Sequence, residues 1–273
     1  MRINHNLSAM NTYSQLSKNE AAQSKSLQQL SSGKRINGAA DDAAGLSISE
    51  KMKNQIRGLD QASRNTQDGI SMIQTADGAL GQIHDILSRM RELTVQAQNG
   101  SNNADEQATI KAETTQLLTN IDDIAKNTKF NGIDLTSSTA KSITIQTGAN
   151  TGETTAIDFG KTKADVETLG LTDFDPGAAA TPPTGPLATL DKAIKDVSTA
   201  RSYLGATQNN LQYTANNAET MSQNFSAASS RITDVDMAQA VMENSKNGIL
   251  AQAAQAMLAQ ANQQPQGVLQ LLR

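Results

Sequence analysis

A seven-residue repeat, sustained over six periods and unbroken by proline, limits what this chain can become more than any other feature. Leu59, Thr66, Ile73, Leu80, Leu87 and Thr94 mark one position of the repeat; Ala62, Gly69, Ala76, Ile83, Met90 and Ala97 lie three residues behind each. This pattern predicts a continuous helix over 46–98 with one narrow apolar seam for a partner helix. At 1.5 Å per residue the repeat spans about 58 Å, more than a compact domain of this size requires. All five prolines (Pro176, Pro182, Pro183, Pro186 and Pro265) lie beyond residue 175, so nothing obstructs long helices before it.

The remaining segments fit around that helix. Asn99-Gly100 stops it. A second helix over 105–128 carries Ile110, Leu117 and Ile124 on one face with Ile121 beside them, and Asn131-Gly132 is expected to end it. The period then shortens to two, with Ile143, Ile145 and Thr147 before Thr155, Ile157 and Phe159, which predicts a β-hairpin over about 141–160. Residues 170–186, rich in Gly, Pro, Ala and Thr, read as a loop. Helix returns over 187–231, where Leu190, Val197, Leu204, Leu211, Ala218, Phe225 and Ile232 repeat by seven. Val235, Met242, Ile249 and Ala256 restart the repeat three residues out of phase, which means a stammer or a break into a separate helix. Asp234 and Asp236 suit a helix start there.

The N-terminal segment is helical too, with Leu7, Met10, Tyr13, Leu16, Leu27 and Leu30 as its apolar stripe, and ends near Ser31-Ser32-Gly33. The first and last helices each expose a stripe and are expected to meet through it. The expected fold is mainly α: an elongated antiparallel coiled-coil or helical-bundle rod with a small β-hairpin and both termini at one end. Three segments follow from this reading: a terminal helix over 1–42, a middle region over 43–231 and a second terminal helix over 232–273. An isolated helix pair is thin, so the terminal pair is expected to fold on assembly.

Composition narrows the function. Aromatic residues make up 3% of the chain and Trp is absent, which argues against the bulky core of a globular enzyme. Ala, Gln, Asn, Ser and Thr dominate instead and suit close helix seams. With no Cys, disulfides, thiolate metal sites and cysteine nucleophiles are excluded. Two histidines, His5 and His84, cannot make a multi-histidine metal site, and His84 reads as a solvated or interface residue. There is neither a His-Glu-x-x-His zinc signature nor a phosphate loop. No cofactor is expected. The net charge of −4 argues against nucleic-acid binding. No apolar run is long enough to span a bilayer, and residues 1–10 do not read as a cleavable secretory signal.

Several longer motifs occur in order. Ile3-Asn4-His5-Asn6 opens the chain, followed by Leu30-Ser31-Ser32-Gly33-Lys34-Arg35-Ile36-Asn37 and Asp41-Asp42-Ala43-Ala44-Gly45-Leu46. Gln61-Ala62-Ser63-Arg64-Asn65-Thr66-Gln67-Asp68-Gly69-Ile70-Ser71 and Arg89-Met90-Arg91-Glu92-Leu93-Thr94-Val95-Gln96 come next. Ser229-Ser230-Arg231-Ile232, Leu258-Ala259-Gln260-Ala261-Asn262-Gln263 and Val268-Leu269-Gln270-Leu271-Leu272-Arg273 close it. Over roughly 1–135 and 186–273 the chain resembles bacterial flagellin, in a short form without the outer variable domains.

That resemblance implies a secreted, extracellular structural subunit that polymerises with many copies of itself into the flagellar filament and drives swimming. It implies an inner tube of terminal helices and an outer tube of central helices. Export would use the flagellum's own type III apparatus, with an export chaperone, cap and junction proteins as partners. Arg89, Leu93, Gln96 and Glu113 match positions read by toll-like receptor 5 of animal hosts; subunit contact is the plainer role for them. Leu269, Leu271 and Leu272 match leucines bound by cytosolic sensors and are expected chiefly to make inner-tube contacts. Asp41-Asp42-Ala43-Ala44-Gly45 reads as a structural bend. A flagellar junction protein or a needle-like type III coiled-coil protein is the alternative.

Overall fold

The computed structural model describes residues 6–100, 102–177 and 185–271, with side chains through Gln263. In chain order the elements are α1 (Leu7–Ser32), α2 (Ala43–Ala97), α3 (Ala104–Asn127), β1 (Lys129–Phe130), β2 (Ile133–Asp134), β3 (Ser142–Gln146), β4 (Thr154–Asp158), α4 (Pro186–Thr233) and α5 (Met237–Leu271). A single 3-10 turn, Phe159–Lys161, follows β4. The chain divides into two compact units: Met1–Asn54 with Asn224–Arg273, the terminal unit, and Gln55–Gln223, the central unit.

The central unit is built on the heptad seam. Leu59, Ile73, Leu80, Leu87, Leu190, Val197, Leu204 and Leu211 are all buried. All but Leu59 join Ile83, Met90 and Ile121 in one apolar core cluster along α2, α3 and α4. Exposed ion pairs flank it: Arg91 Nε lies 2.7 Å from Asp191 and Arg201 Nε lies 2.9 Å from Asp77. Each such pair contributes at most about 1 kcal/mol, so burial of the seam dominates.

β3 and β4 pair antiparallel, with Ile143 opposite Ile157 and Ile145 opposite Thr155. A row of close approaches on α2 seats this hairpin. A Cβ at Gly58 would lie 2.7 Å from Ala149 Cβ, and one at Gly69 would lie 2.3 Å from Ile145 Cδ1. Between them Asn65 Nδ2 donates to the Gln146 carbonyl at 3.2 Å. Gly58, Asn65 and Gly69 fall seven and four residues apart and so share one helix face. Glycine at a seam position of the repeat therefore marks where the hairpin lies against the helix.

Two sequence expectations change here. Asn131-Gly132 does not end α3. That helix stops at Asn127, with Thr128 as its C-cap. Asn131 (φ 49°) and Gly132 (φ 80°) instead form the turn of a second antiparallel pair, β1 with β2. Two successive positive φ values are what a two-residue hairpin turn requires, and Asn-Gly adopts them readily. The stretch before the Pro-rich loop also carries core residues: Phe159, Leu169 and Leu171 are buried.

The terminal unit is built differently. α1 packs on α5. Asn6 Nδ2 donates to the Ala261 carbonyl at 2.7 Å. The phase shift after Ile232 is a break: α4 ends at Thr233, and Asp236 caps α5 by accepting from the Ala238 and Gln239 amides at 2.9 and 3.2 Å. The two connectors clasp each other. Arg35 N donates to the Thr233 carbonyl at 2.6 Å and Val235 N to the Gly33 carbonyl at 3.1 Å. Asp41 closes the bend by accepting from Lys25 Nζ at 2.8 Å and from the Asn37 and Gly38 amides. Asp42 Oδ1 then accepts from the Gly45 amide at 2.8 Å as α2 begins.

The expected seam of this unit is corrected. α1 and α5 do meet, but only part of the expected α1 stripe is covered: Leu16 and Leu30 are half-buried. The residues buried in α1 are Asn19 and Ser26, and those buried in α5 include Ala240, Asn247 and Ala261. Leu7, Met10, Tyr13 and Leu27 are exposed. Small and polar side chains permit close approach of two helices, and Leu7, Met10, Tyr13 and Leu27 are left on outer faces.

Candidate assembly and recognition surfaces

The terminal unit keeps three apolar residues buried, Ile36, Ala240 and Ala261, among the described residues. It exposes eleven large ones: Leu7, Met10, Tyr13, Leu27, Ile48, Met237, Val241, Met242, Ile249, Leu250 and Met257, each between 41% and 67% accessible. Scattered exposed apolar residues are ordinary, but a unit that shows most of its bulky side chains and hides few is not. Met242 and Ile249 are the residues of the phase-shifted repeat, and Leu250 and Met257 repeat it one position on. A seven-residue period that survives on exposed faces describes seams for other helices.

Phe225, one repeat before Ile232 on the α4 seam, belongs to this terminal unit and is half-buried, unlike the seam residues of the central unit. Leu272, like His5, lies outside the described residues; Leu269 and Leu271 lie within α5, their side chains outside them.

A second surface lies on α2 and α3. Arg89, Gln96 and Glu113 are exposed there. Arg89 Nη2 reaches Glu113 Oε1 at 3.1 Å and Nη1 reaches Glu92 Oε2 at 3.2 Å. Glu113 first and Glu92 second hold the guanidinium pKa above its ordinary value. Leu93 stands apart from these three: it is buried with Ala97 and Ile110, against Leu117, and fastens α3 to α2. The structure thus brings Arg89 and Glu113 together as an ion pair and places Leu93 beneath the surface. His84 is half-buried.

Sequence reasoning did not single out Met237, Val241 or Leu250 as surface residues, nor Gly58 and Gly69 as the hairpin seat. Their signals were present as the shifted repeat of α5 and as glycines inside a long helix, where glycine is otherwise unfavourable.

No described helix is long and apolar enough to cross a membrane. The model for the bacterial flagellin N-terminal helical region matches residues 3–141, and that for the bacterial flagellin C-terminal helical region matches 187–272. The chain is 50% identical to the flagellin of Halalkalibacterium halodurans and 47% identical to that of Bacillus subtilis, each match covering all of both chains. It is 42% identical to the flagellar filament 33 kDa core protein of Treponema phagedenis, again over all of both chains. The crystal structure of Bacillus cereus flagellin is similar with a TM-score of 0.51 and 36% identity, over 61% of this chain and 94% of that one. Residues 142–186 lie between the two matched regions. The chain belongs to the bacterial flagellin family, a family of structural proteins, and is a self-polymerising subunit of the extracellular flagellar filament.

Proposed function

We propose that the terminal unit is the part of the subunit that other copies complete. The observation that supports this is its inverted burial: among the described residues, eleven large apolar side chains are exposed and three apolar residues buried. Covering a Leu, Ile or Met side chain is worth about 1.5–3 kcal/mol. A set of this size offsets the cost of ordering a subunit on a growing end. On this reading 1–42 and 232–273 form the inner layer of the filament wall and 43–231 the outer layer. Leu269, Leu271 and Leu272 contribute to the inner contacts. Before export the same faces need a chaperone, and at the filament ends they meet cap and junction proteins. The protein's work is structural rather than enzymatic.

Seeded growth tests this role. Purified subunit mixed with short seeds of its own filament at moderate sulfate, which strengthens apolar burial, is expected to lengthen them. A subunit that binds seed ends and stops growth would favour a junction protein instead.

Arg89, Gln96 and Glu113 are proposed as the host-receptor contact, with Leu93 holding α3 behind them. Arg89→Ala is expected to weaken binding to the ectodomain of toll-like receptor 5 by about tenfold or more. It should leave thermal unfolding nearly unchanged, because exposed ion pairs contribute at most about 1 kcal/mol. Full-strength binding by this variant would remove Arg89 from the contact.

A further inference from the structure

The chain has no Cys, so its methionine thioethers are its only oxidisable sulfur. They are unevenly placed. In the central unit Met72 and Met90 are 7% and 0% accessible, and Met221, near its end, is 39%. Met10, Met237, Met242 and Met257, in the terminal unit, are 62%, 49%, 66% and 60% accessible. These four stand among the side chains proposed above to be covered by other copies. A thioether there is a good apolar contact because it is flexible and polarizable. Its sulfoxide is polar and resists transfer out of water.

We propose that Met10, Met237, Met242 and Met257 form an oxidation-sensitive site that closes the free subunit to assembly. The co-reactant is a two-electron oxygen donor such as hydrogen peroxide. Its terminal oxygen passes to the sulfur, a sulfoxide S–O bond forms, the O–O bond breaks and water leaves. Sulfur is oxidised and the peroxide is reduced, with no other electron carrier. Each event replaces an apolar contact by a polar group that must be desolvated for docking. In the filament the same sulfurs are covered, so the subunit is vulnerable before incorporation and resistant afterwards. This rests on the terminal unit being the assembly surface.

The test treats free subunit and finished filament with equal hydrogen peroxide and maps sulfoxide by peptide mass spectrometry, then measures growth on untreated seeds. In free subunit the four sites should oxidise about tenfold faster than Met72 and Met90, and seeded growth should fall about tenfold. Incubation with methionine sulfoxide reductases of both stereospecificities should restore growth. A variant combining Met10→Leu, Met237→Leu, Met242→Leu and Met257→Leu should grow normally and keep growing after peroxide; if that variant does not assemble, reductase rescue of the native chain decides. Oxidation of the four sites no faster than of Met72 and Met90, full growth by oxidised subunit, or the four sites as reactive in filament as in free subunit would each overturn the proposal. Untreated subunit that fails to extend seeds would instead overturn the assembly reading, and the oxidation site with it.

Discussion

The central and terminal units are made from the same kind of helix and bury their residues in opposite ways. Among the described residues, the central unit hides thirty-two apolar residues and exposes four large ones, Val95, Ile133, Tyr213 and Met221. The terminal unit hides three and exposes eleven. Helix propensity does not separate them. The central unit has three long helical segments and a hairpin to close around one seam. The terminal unit has the α1–α5 pair, two connectors, the start of α2 and the end of α4. Two helices have too few faces to cover each other's bulky side chains, so those residues are available to neighbours. On the proposed reading, one part of the chain is complete in itself and the other is completed by neighbouring copies.

The sharpest way to break this contrast is to truncate one side chain in each unit. Leu80→Ala, in the fully buried central seam, is expected to cost about 2–5 kcal/mol, read as a lower unfolding midpoint in urea. Ile249→Ala, exposed in the terminal unit, is expected to change subunit stability by no more than about 0.5 kcal/mol yet slow seeded growth severalfold. Similar stability losses from both would erase the difference between the units.

Glycines inside the long helices sharpen the picture on a smaller scale. Gly69→Ala must push Ile145 Cδ1 aside in the hairpin seat. Overpacking of about 1–3 kcal/mol, less about 1 kcal/mol of helix propensity, leaves a net loss on the order of 1 kcal/mol. Gly78→Ala meets nothing within 4 Å and is expected to stabilise by up to about 1 kcal/mol. Opposite shifts in the melting of the two variants are the check.

Acid should separate the units more gently. Lys25 and the Asn37 amide hold the Asp41 pKa below its ordinary value of 3.8; Ser230, Thr233 and then Lys34 do the same for Asp234. A carboxyl whose folded pKa is depressed contributes stability that is fully present above the unfolded value. That contribution declines as pH falls below about 4 and through the lowered folded value. Asp134, Glu153 and Asp175 in the central unit are lowered too, but there a large core stands behind them. Helicity followed by circular dichroism with site-resolved exchange should show α1 and α5 loosening first as pH drops from 5 to 3. Simultaneous loss in both units would argue against the contrast.

The sequence made the central seam legible because the residues that repeat by seven, such as Ile73, Leu80 and Leu204, are also the residues one chain can cover. It made the Leu7, Met10 and Tyr13 stripe equally legible and misled about its direction. Periodicity identifies an apolar face but not which molecule covers it. Asn131-Gly132 was visible as a stop and misread because helix ends and hairpin turns use the same positive-φ residues. Phe159 was legible as the end of the hairpin's alternation, whereas Leu169 and Leu171 follow no period and enter the core through loop geometry that composition does not encode. Arg89 and Glu113 were recognisable only through resemblance; their separation of twenty-four positions carries no local signal for the ion pair they form.

The central claim is that the terminal unit is finished by other copies of the chain. Amide hydrogen exchange of the free subunit and of the filament, read by peptide mass spectrometry, tests it most directly. The account predicts that α2, α3 and α4 between residues 59 and 211 are protected in both states. It predicts that α1 and α5 gain about a hundredfold protection on assembly. Equal protection of α1 and α5 in subunit and filament would contradict it, since the pair would then be complete before any neighbour arrived.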